Sequence, residues 1–261
     1  EIEIKSAKEV TFFAVELRKF LNINLEKQVR WANEEEAFNN WRKILQDFGI
    51  FIFKDAFKND EISGFCLYDL EFPIIYINNS HPKTRQIFTL FHEIGHLLMK
   101  TSGIDKEKDD FIDRLSQTDK SVELFCNKLA GEFLVPEKDF ISKIIQLKTI
   151  DEESISKFAN YYKVSREVIL RKLLIHGYIN NDIYNDYSLK WIEQAKFAKK
   201  KHIRKVNYYN IQIAYLGDYY LDLVFDKYYK NQINISDVAD FLNTKVGNIP
   251  EFEERFILKK I

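Results

Sequence analysis

A chain of 261 residues with 39 basic against 40 acidic side chains has a formal charge of −1. Nothing global therefore argues for a protein that coats nucleic acid or lies on a membrane surface. With 22 Phe and 14 Tyr against 8 Gly, the composition suits a packed, mostly helical protein and excludes a disordered one.

The cysteines are Cys66 and Cys126, with no metal-binding CxxC. This predicts a reducing, cytoplasmic setting and two small buried thiols. No charged-then-apolar leader opens the chain, and no run approaches the ~20 apolar residues of a membrane span, so no membrane partner is expected. The opening Glu1-Ile2-Glu3-Ile4-Lys5 reads as the middle of a gene product and predicts a segment upstream.

Ser6-Ala7-Lys8-Glu9 has the form of a capping box and predicts a helix with apolar positions 10, 13, 14, 17, 20 and 21. A second helix is predicted after Asn33, with Glu34, Glu35 and Glu36 in its first turn and its end at Gly49. The period then shortens. Residues 50–53, 62–68 and 73–78 read as three strands. The last, Pro73–Asn78, is expected to be a sheet edge onto which an extended peptide could dock.

Asn79-Ser80-His81-Pro82 opens the next helix, with Pro82 at its first position. This helix carries Thr89-Leu90-Phe91-His92-Glu93-Ile94-Gly95-His96-Leu97-Leu98-Met99. His92 and His96 stand four apart and so rise from one face, close enough to reach one metal ion. Glu93 lies about 100° further round, where it can act on a water as a base without becoming a ligand.

Lys100–Thr118 is polar and acidic and reads as a solvated loop, with a flap over the cleft as the alternative. The helix that follows, about Asp119 to Val135, ends at Pro136 and should supply a third ligand, since catalytic zinc takes three protein ligands and a water. Glu123 is the choice, with Asp113 and Asp119 as weaker rivals. Asn127 shares the helical face of Glu123 and could orient a ligand histidine. Glu132, nine residues on, points the opposite way.

Residues 155–173 have the layout of helix, short turn and Ser-capped helix. This predicts a packed helical pair, with a DNA-reading helix-turn-helix as the weaker alternative. Lys190, Lys196, Lys199, Lys200, Lys201, Arg204 and Lys205 make a basic stretch, read first as a solvated face and second as a phosphate- or acid-binding one. Residues 215–225 read as one buried helix, and 235–242 as a short helix capped by Ser236. His81, His176 and His202 fall outside the motif.

Residues 88–96, with Val122-Glu123-Leu124-Phe125-Cys126-Asn127-Lys128-Leu129-Ala130-Gly131-Glu132-Phe133-Leu134-Val135-Pro136, resemble the ImmA/IrrE metallopeptidases. Val164-Ser165 and Arg171-x-Leu173 are similar to that family's downstream helical pair. Cys126 departs from the pattern, standing where the family more often has Ala. The resemblance implies an α+β fold: a zincin-like peptidase domain whose small β-sheet packs on the HExxH helix, followed by a mainly α-helical C-terminal region. The corresponding division is 1–148, 149–182 and 183–261.

The resemblance further implies zinc, or another divalent metal such as manganese, on His92, His96 and Glu123, with Glu93 as catalytic base. It implies a cytoplasmic, prokaryotic endopeptidase whose substrate is a helix-turn-helix transcriptional repressor, and an N-terminal helix-turn-helix in the longer members. Tyr76, His81 and Arg85 are the candidates for steadying the anionic intermediate. The competing reading is a metal-stabilised module that binds a repressor or toxin without cutting it, or a DNA-associated regulator.

Overall fold

The computed structural model describes residues 7–59, 61–106, 116–147, 149–198 and 207–260. Helix α1 (Ala7–Phe20) buries Val10, Ala14 and Leu17 along its predicted stripe, while Phe20 lies exposed. Ser6 of the predicted capping box falls outside the described residues. A short helix α2 (Leu25–Val29), absent from the sequence reading, precedes α3 (Glu34–Asp47). Asn33 caps α3 by accepting a hydrogen bond from the Glu36 N–H.

Four strands follow the same logic of alternation: β1 (Phe51–Asp55), β2 (Ile62–Leu67), β3 (Ile74–Asn78) and β4 (Gly103–Lys106). Their order is β1-β3-β2-β4, with β1 and β3 parallel and the other two pairings antiparallel. Two expectations change here. The strand at 74–78 lies inside the sheet rather than at its edge, because β1 pairs with it on one side and β2 on the other. The stretch read as a solvated loop supplies a fourth strand, β4, which lies at one edge of the sheet with β1 at the other. Residues 107–115 after it lie outside the described residues.

Helix α4 (Lys83–Leu98) runs behind this sheet, with Pro82 at the cap rather than at the first helical position. Positions 89–96 are all buried, as befits a helix enclosed on every side. Ile52, Cys66, Ile75 and Ile77 line the sheet's inner face with no more than 1% exposed. The far side of α4 meets α5 (Gln117–Leu134) and α3. There Phe91 stacks on Phe133 at 4.2 Å, and Trp41 sits edge-on to both at 4.9 and 5.4 Å. Rings of this size bury large apolar areas where the three helices meet.

The end of α5 is held by side chains. Arg18 donates to the Phe133 carbonyl at 3.0 Å, and the buried Gln28 donates to the Leu134 and Tyr162 carbonyls at 2.9 and 2.8 Å. Carbonyls left over at a helix end need such partners when water cannot reach them.

After α6 (Glu137–Ile144) comes the predicted pair, α7 (Glu152–Tyr162) and α8 (Arg166–Ile175), with Ser165 capping the second helix through the Val168 N–H. The pair belongs to the main core through Ile155, Tyr162, Ile169, Leu170 and Leu173. Helix α9 (Asn181–Ala198) lies against α8, and Arg166 stacks over Trp191 at 4.4 Å. In the basic stretch, Lys190 pairs with Glu152 at 2.5 Å. Lys199, Lys200, Lys201, Arg204 and Lys205, with His202, lie outside the described residues.

The rest forms a second core from α10 (Tyr208–Leu216), α11 (Asp218–Tyr229), α12 (Ile235–Phe241) and α13 (Ile249–Lys260). The predicted single helix through 215–225 is broken at Gly217, whose φ of +84° ends one helix and starts the next. The cap of α12 is Asn234 rather than Ser236, because its side chain accepts from both the Ser236 and Asp237 N–H groups. Buried Arg42 ties this core to the first. It donates to the Ile52 carbonyl of β1 at 3.1 Å and to the Ala214 and Tyr215 carbonyls of α10 at 2.8 and 3.0 Å.

Candidate metal centre

Helix α4 presents His92 and His96 on one face, and α5 brings Glu123 across to them. The His92 and His96 Nε2 atoms stand 3.2 Å apart. Glu123 Oε2 lies 3.2 Å from the first, and Oε1 lies 3.2 Å from the second. The three residues are 1%, 3% and 9% exposed. Two nitrogens bound at 2.0–2.1 Å to a tetrahedral ion stand about 3.3 Å apart, so the spacing fits zinc.

The other ring nitrogens explain why Nε2 is the donor on both rings. His92 Nδ1 lies 3.1 Å from the Asn127 Oδ1, and His96 Nδ1 lies 3.2 Å from the Thr101 hydroxyl. Each Nδ1 carrying a proton towards oxygen leaves an Nε2 lone pair facing the cluster. Burial pushes the Glu123 carboxyl up, but its hydrogen bonds and attraction to the two histidines outweigh this and hold it down to about 2. Those hydrogen bonds need a proton on each Nε2, and a bound cation would take the place of these protons between the two nitrogens and the carboxylate.

Close approach of the elements depends on two glycines. A Cβ on Gly95 would strike Cys126 at 2.8 Å, so the absence of a side chain lets α5 come near enough for Glu123 to reach the histidines. A Cβ on Gly103 would strike the His96 ring at 2.7 Å, so the outer strand β4 passes directly against a candidate ligand. Cys126, though bulkier than Ala, is fully buried in this contact.

Glu93 is wholly buried beside the cluster. The Cys66 thiol of β2 donates to the Thr101 carbonyl at 3.7 Å and lies near enough to Glu93 to feel its charge. Burial, then the charge of Glu93 and lastly that of Glu123, push this thiol well above its usual range, so it stays neutral. Both cysteines are free and buried.

Other candidates fall away from the cluster. Tyr76 faces the opposite side of the sheet, between Phe53 at 5.2 Å and Phe65 at 5.0 Å. Arg85 donates to the Ser63 hydroxyl at 3.0 and 2.8 Å, seven residues or about 10 Å up the helix from His92. His81 precedes α4 altogether. Asp119 is exposed and bonded to Ser116 at the helix start, and Asp113 lies outside the described residues. Glu132 turns away, as its phase predicts, and receives a 2.6 Å hydrogen bond from Lys172 of α8. Thr101 had no signal in the sequence. It reaches His96 because Lys100 adopts a φ of +55°, turning the chain back after α4.

Residues 45–174, which contain this whole cluster, match the family model Peptidase_M78, described as the IrrE N-terminal-like domain. This central domain belongs to that peptidase family. The IrrE-like match begins near the end of α3 and closes at the end of α8. Among solved structures, a Mycobacterium tuberculosis transcriptional regulator is similar at 16% identity and a TM-score of 0.42. That likeness covers 64% of this chain and 46% of the other, so the match spans under half of the regulator's length. Among the described residues no helix is long and apolar enough to cross a membrane.

Proposed function

We propose that the protein is a zinc-dependent endopeptidase that makes a specific cut in a cytoplasmic protein, with a helix-turn-helix transcriptional repressor as the substrate class. One observation carries the reading. A fully buried glutamate, Glu93, adjoins two histidines whose Nε2 atoms converge with Glu123. A purely structural zinc needs no such base and ordinarily fills all four positions with protein ligands.

His92, His96 and Glu123 would hold the ion, and Asn127 and Thr101 would keep the two imidazoles turned towards it. Bound there, zinc would polarise the scissile carbonyl and acidify water, and manganese could serve on the same donors. Glu93 takes the proton from the attacking water and passes it to the leaving amine. The Cys66 thiol, held neutral by burial and by the charge of Glu93, places an uncharged group near that carboxylate. The outer strand β4 offers main-chain N–H and C=O groups beside His96, so an extended substrate would pair there rather than on the interior β3.

The test incubates zinc-loaded protein with the helix-turn-helix repressor encoded beside its gene, with Glu93→Gln alongside. One discrete cut by the wild type, and none by the variant, is expected. An intact repressor held in a stable complex by both proteins would replace this reading with that of a binding module.

A further inference from the structure

Away from the metal centre, where α4 begins, two lysines share one aromatic ring. The Lys54 amine of β1 lies 5.0 Å from the centroid of Phe38, and that of Lys83 lies 4.9 Å from the same centroid. The amines are close enough that the charge of Lys83 bears on Lys54. Lys54 is only 7% exposed, and among the described residues its amine donates to no oxygen. Lys83 makes a 3.3 Å ion pair with Glu35, which is half-exposed, so the pair of amines opens to solvent on that side.

The charge count is unbalanced. At Lys54 the positive charges of Lys83 and Arg42 outweigh the carboxylate of Glu35, while Asp218 bears on Arg42. Arg42 spends its donors on the carbonyls of Ile52, Ala214 and Tyr215. Helix α4 adds to the positive field, since its first turn has no acidic residue and Pro82 supplies no side-chain cap. Burial, followed by the charges of Lys83 and Arg42, pushes the Lys54 amine down to about 7. A buried amine without an acceptor costs stability that a methionine of similar length would not.

We propose that Lys54 and Lys83 form a binding site for a phosphate-class tetrahedral oxyanion at the start of the metal-bearing helix. Two amines side by side can each donate to a different oxygen of such an anion, and Phe38 forms the apolar floor. The shared chemistry covers a free oxyanion and the terminal phosphate of a larger molecule. A ligand here would sit on the axis of α4, about 14 Å from the level of His92 by helix rise.

The test titrates the full zinc-loaded chain with sulfate by calorimetry, at constant ionic strength in chloride. Sulfate has the tetrahedral geometry without precipitating zinc. Saturable binding of one sulfate per chain is expected in the wild type and in a control at an exposed lysine, Lys43→Met. About tenfold weaker binding or worse is expected in Lys54→Met and in Lys83→Met. A second arm uses O-phosphoserine: tighter binding than sulfate indicates a terminal phosphate as the natural ligand, and equal or weaker binding a free oxyanion. Without sulfate, Lys54→Met should unfold no earlier than the wild type. If it fails to fold, the half-buried Lys83→Met carries the comparison. No saturation in the wild type, or undiminished affinity in the lysine variants, overturns the site.

Discussion

The Thr101 hydroxyl lies 3.2 Å from His96 Nδ1 and 3.2 Å from the His96 carbonyl oxygen. It donates to the carbonyl and accepts from the imidazole, so one side chain closes a ring between a residue's own ring and main chain. The Thr101 N–H reinforces the same turn, reaching the His96 carbonyl at 2.9 Å.

Removing that hydroxyl frees the imidazole to rotate and to take the wrong tautomer. Thr101→Val should weaken zinc binding by about 10- to 100-fold, the range for partners of ligand histidines. Thr101→Ser should restore most of it. Competition with a chromogenic chelator measures both, and equal affinity in the wild type and the valine variant would rule the role out.

Glu93 and Glu123 should separate chemistry from metal retention. Glu93→Gln should bind zinc as the wild type does while losing about 10²- to 10⁴-fold in peptide hydrolysis. Glu123→Gln should lose zinc first, because one of the three converging donors becomes a neutral amide. Metal content after gel filtration, read beside hydrolysis of the repressor, distinguishes the two.

The Lys172–Glu132 pair fastens α8 to α5 at 2.6 Å, with each residue 9% exposed. Glu132 also accepts from the Glu137 N–H at 3.0 Å. Lys172→Met leaves a buried carboxylate without its hydrogen-bonded cation, with only the charge of Arg18 remaining, and should cost up to about 3–5 kcal/mol in denaturant unfolding. The double change Lys172→Met with Glu132→Leu should recover much of that loss. A single variant as stable as the wild type would show that the pair adds nothing.

Stability should depend on pH through Lys54. Its amine is lowered from 10.5 to about 7 in the fold by burial, then by Lys83 and Arg42, with Glu35 opposing. Between those values the unfolded chain holds a proton that the folded chain has released, so stability rises with pH across that window. Below about 7 both states are protonated and the cost is fully expressed. Unfolding midpoints at about pH 6 and pH 9 should therefore diverge more in the wild type than in Lys54→Met. Identical pH profiles for the two proteins would refute this.

Much of the site was legible before any coordinates. A four-residue spacing on a helix puts His92 and His96 on one face whatever surrounds them. The helical phase that singled out Glu123 over Glu132 is the phase at which α5 meets α4. Both inferences rest on the 3.6-residue turn, a property of the local chain. The oxyanion candidates show the opposite. Tyr76 lies close to the motif in sequence, but alternation along β3 sends it to the far face of the sheet.

By itself, then, the sequence determined the elements that repeat with a local period: the helix carrying His92 and His96, the helix carrying Glu123 and three of the four strands. Only the tertiary structure decided that β3 is interior, that β4 is an edge strand beside His96, and that Cys66 lies near Glu93. It alone placed Lys54 against Lys83. These relations join residues far apart in sequence, through a strand order and helix approaches set by packing the whole core, and no local period encodes them.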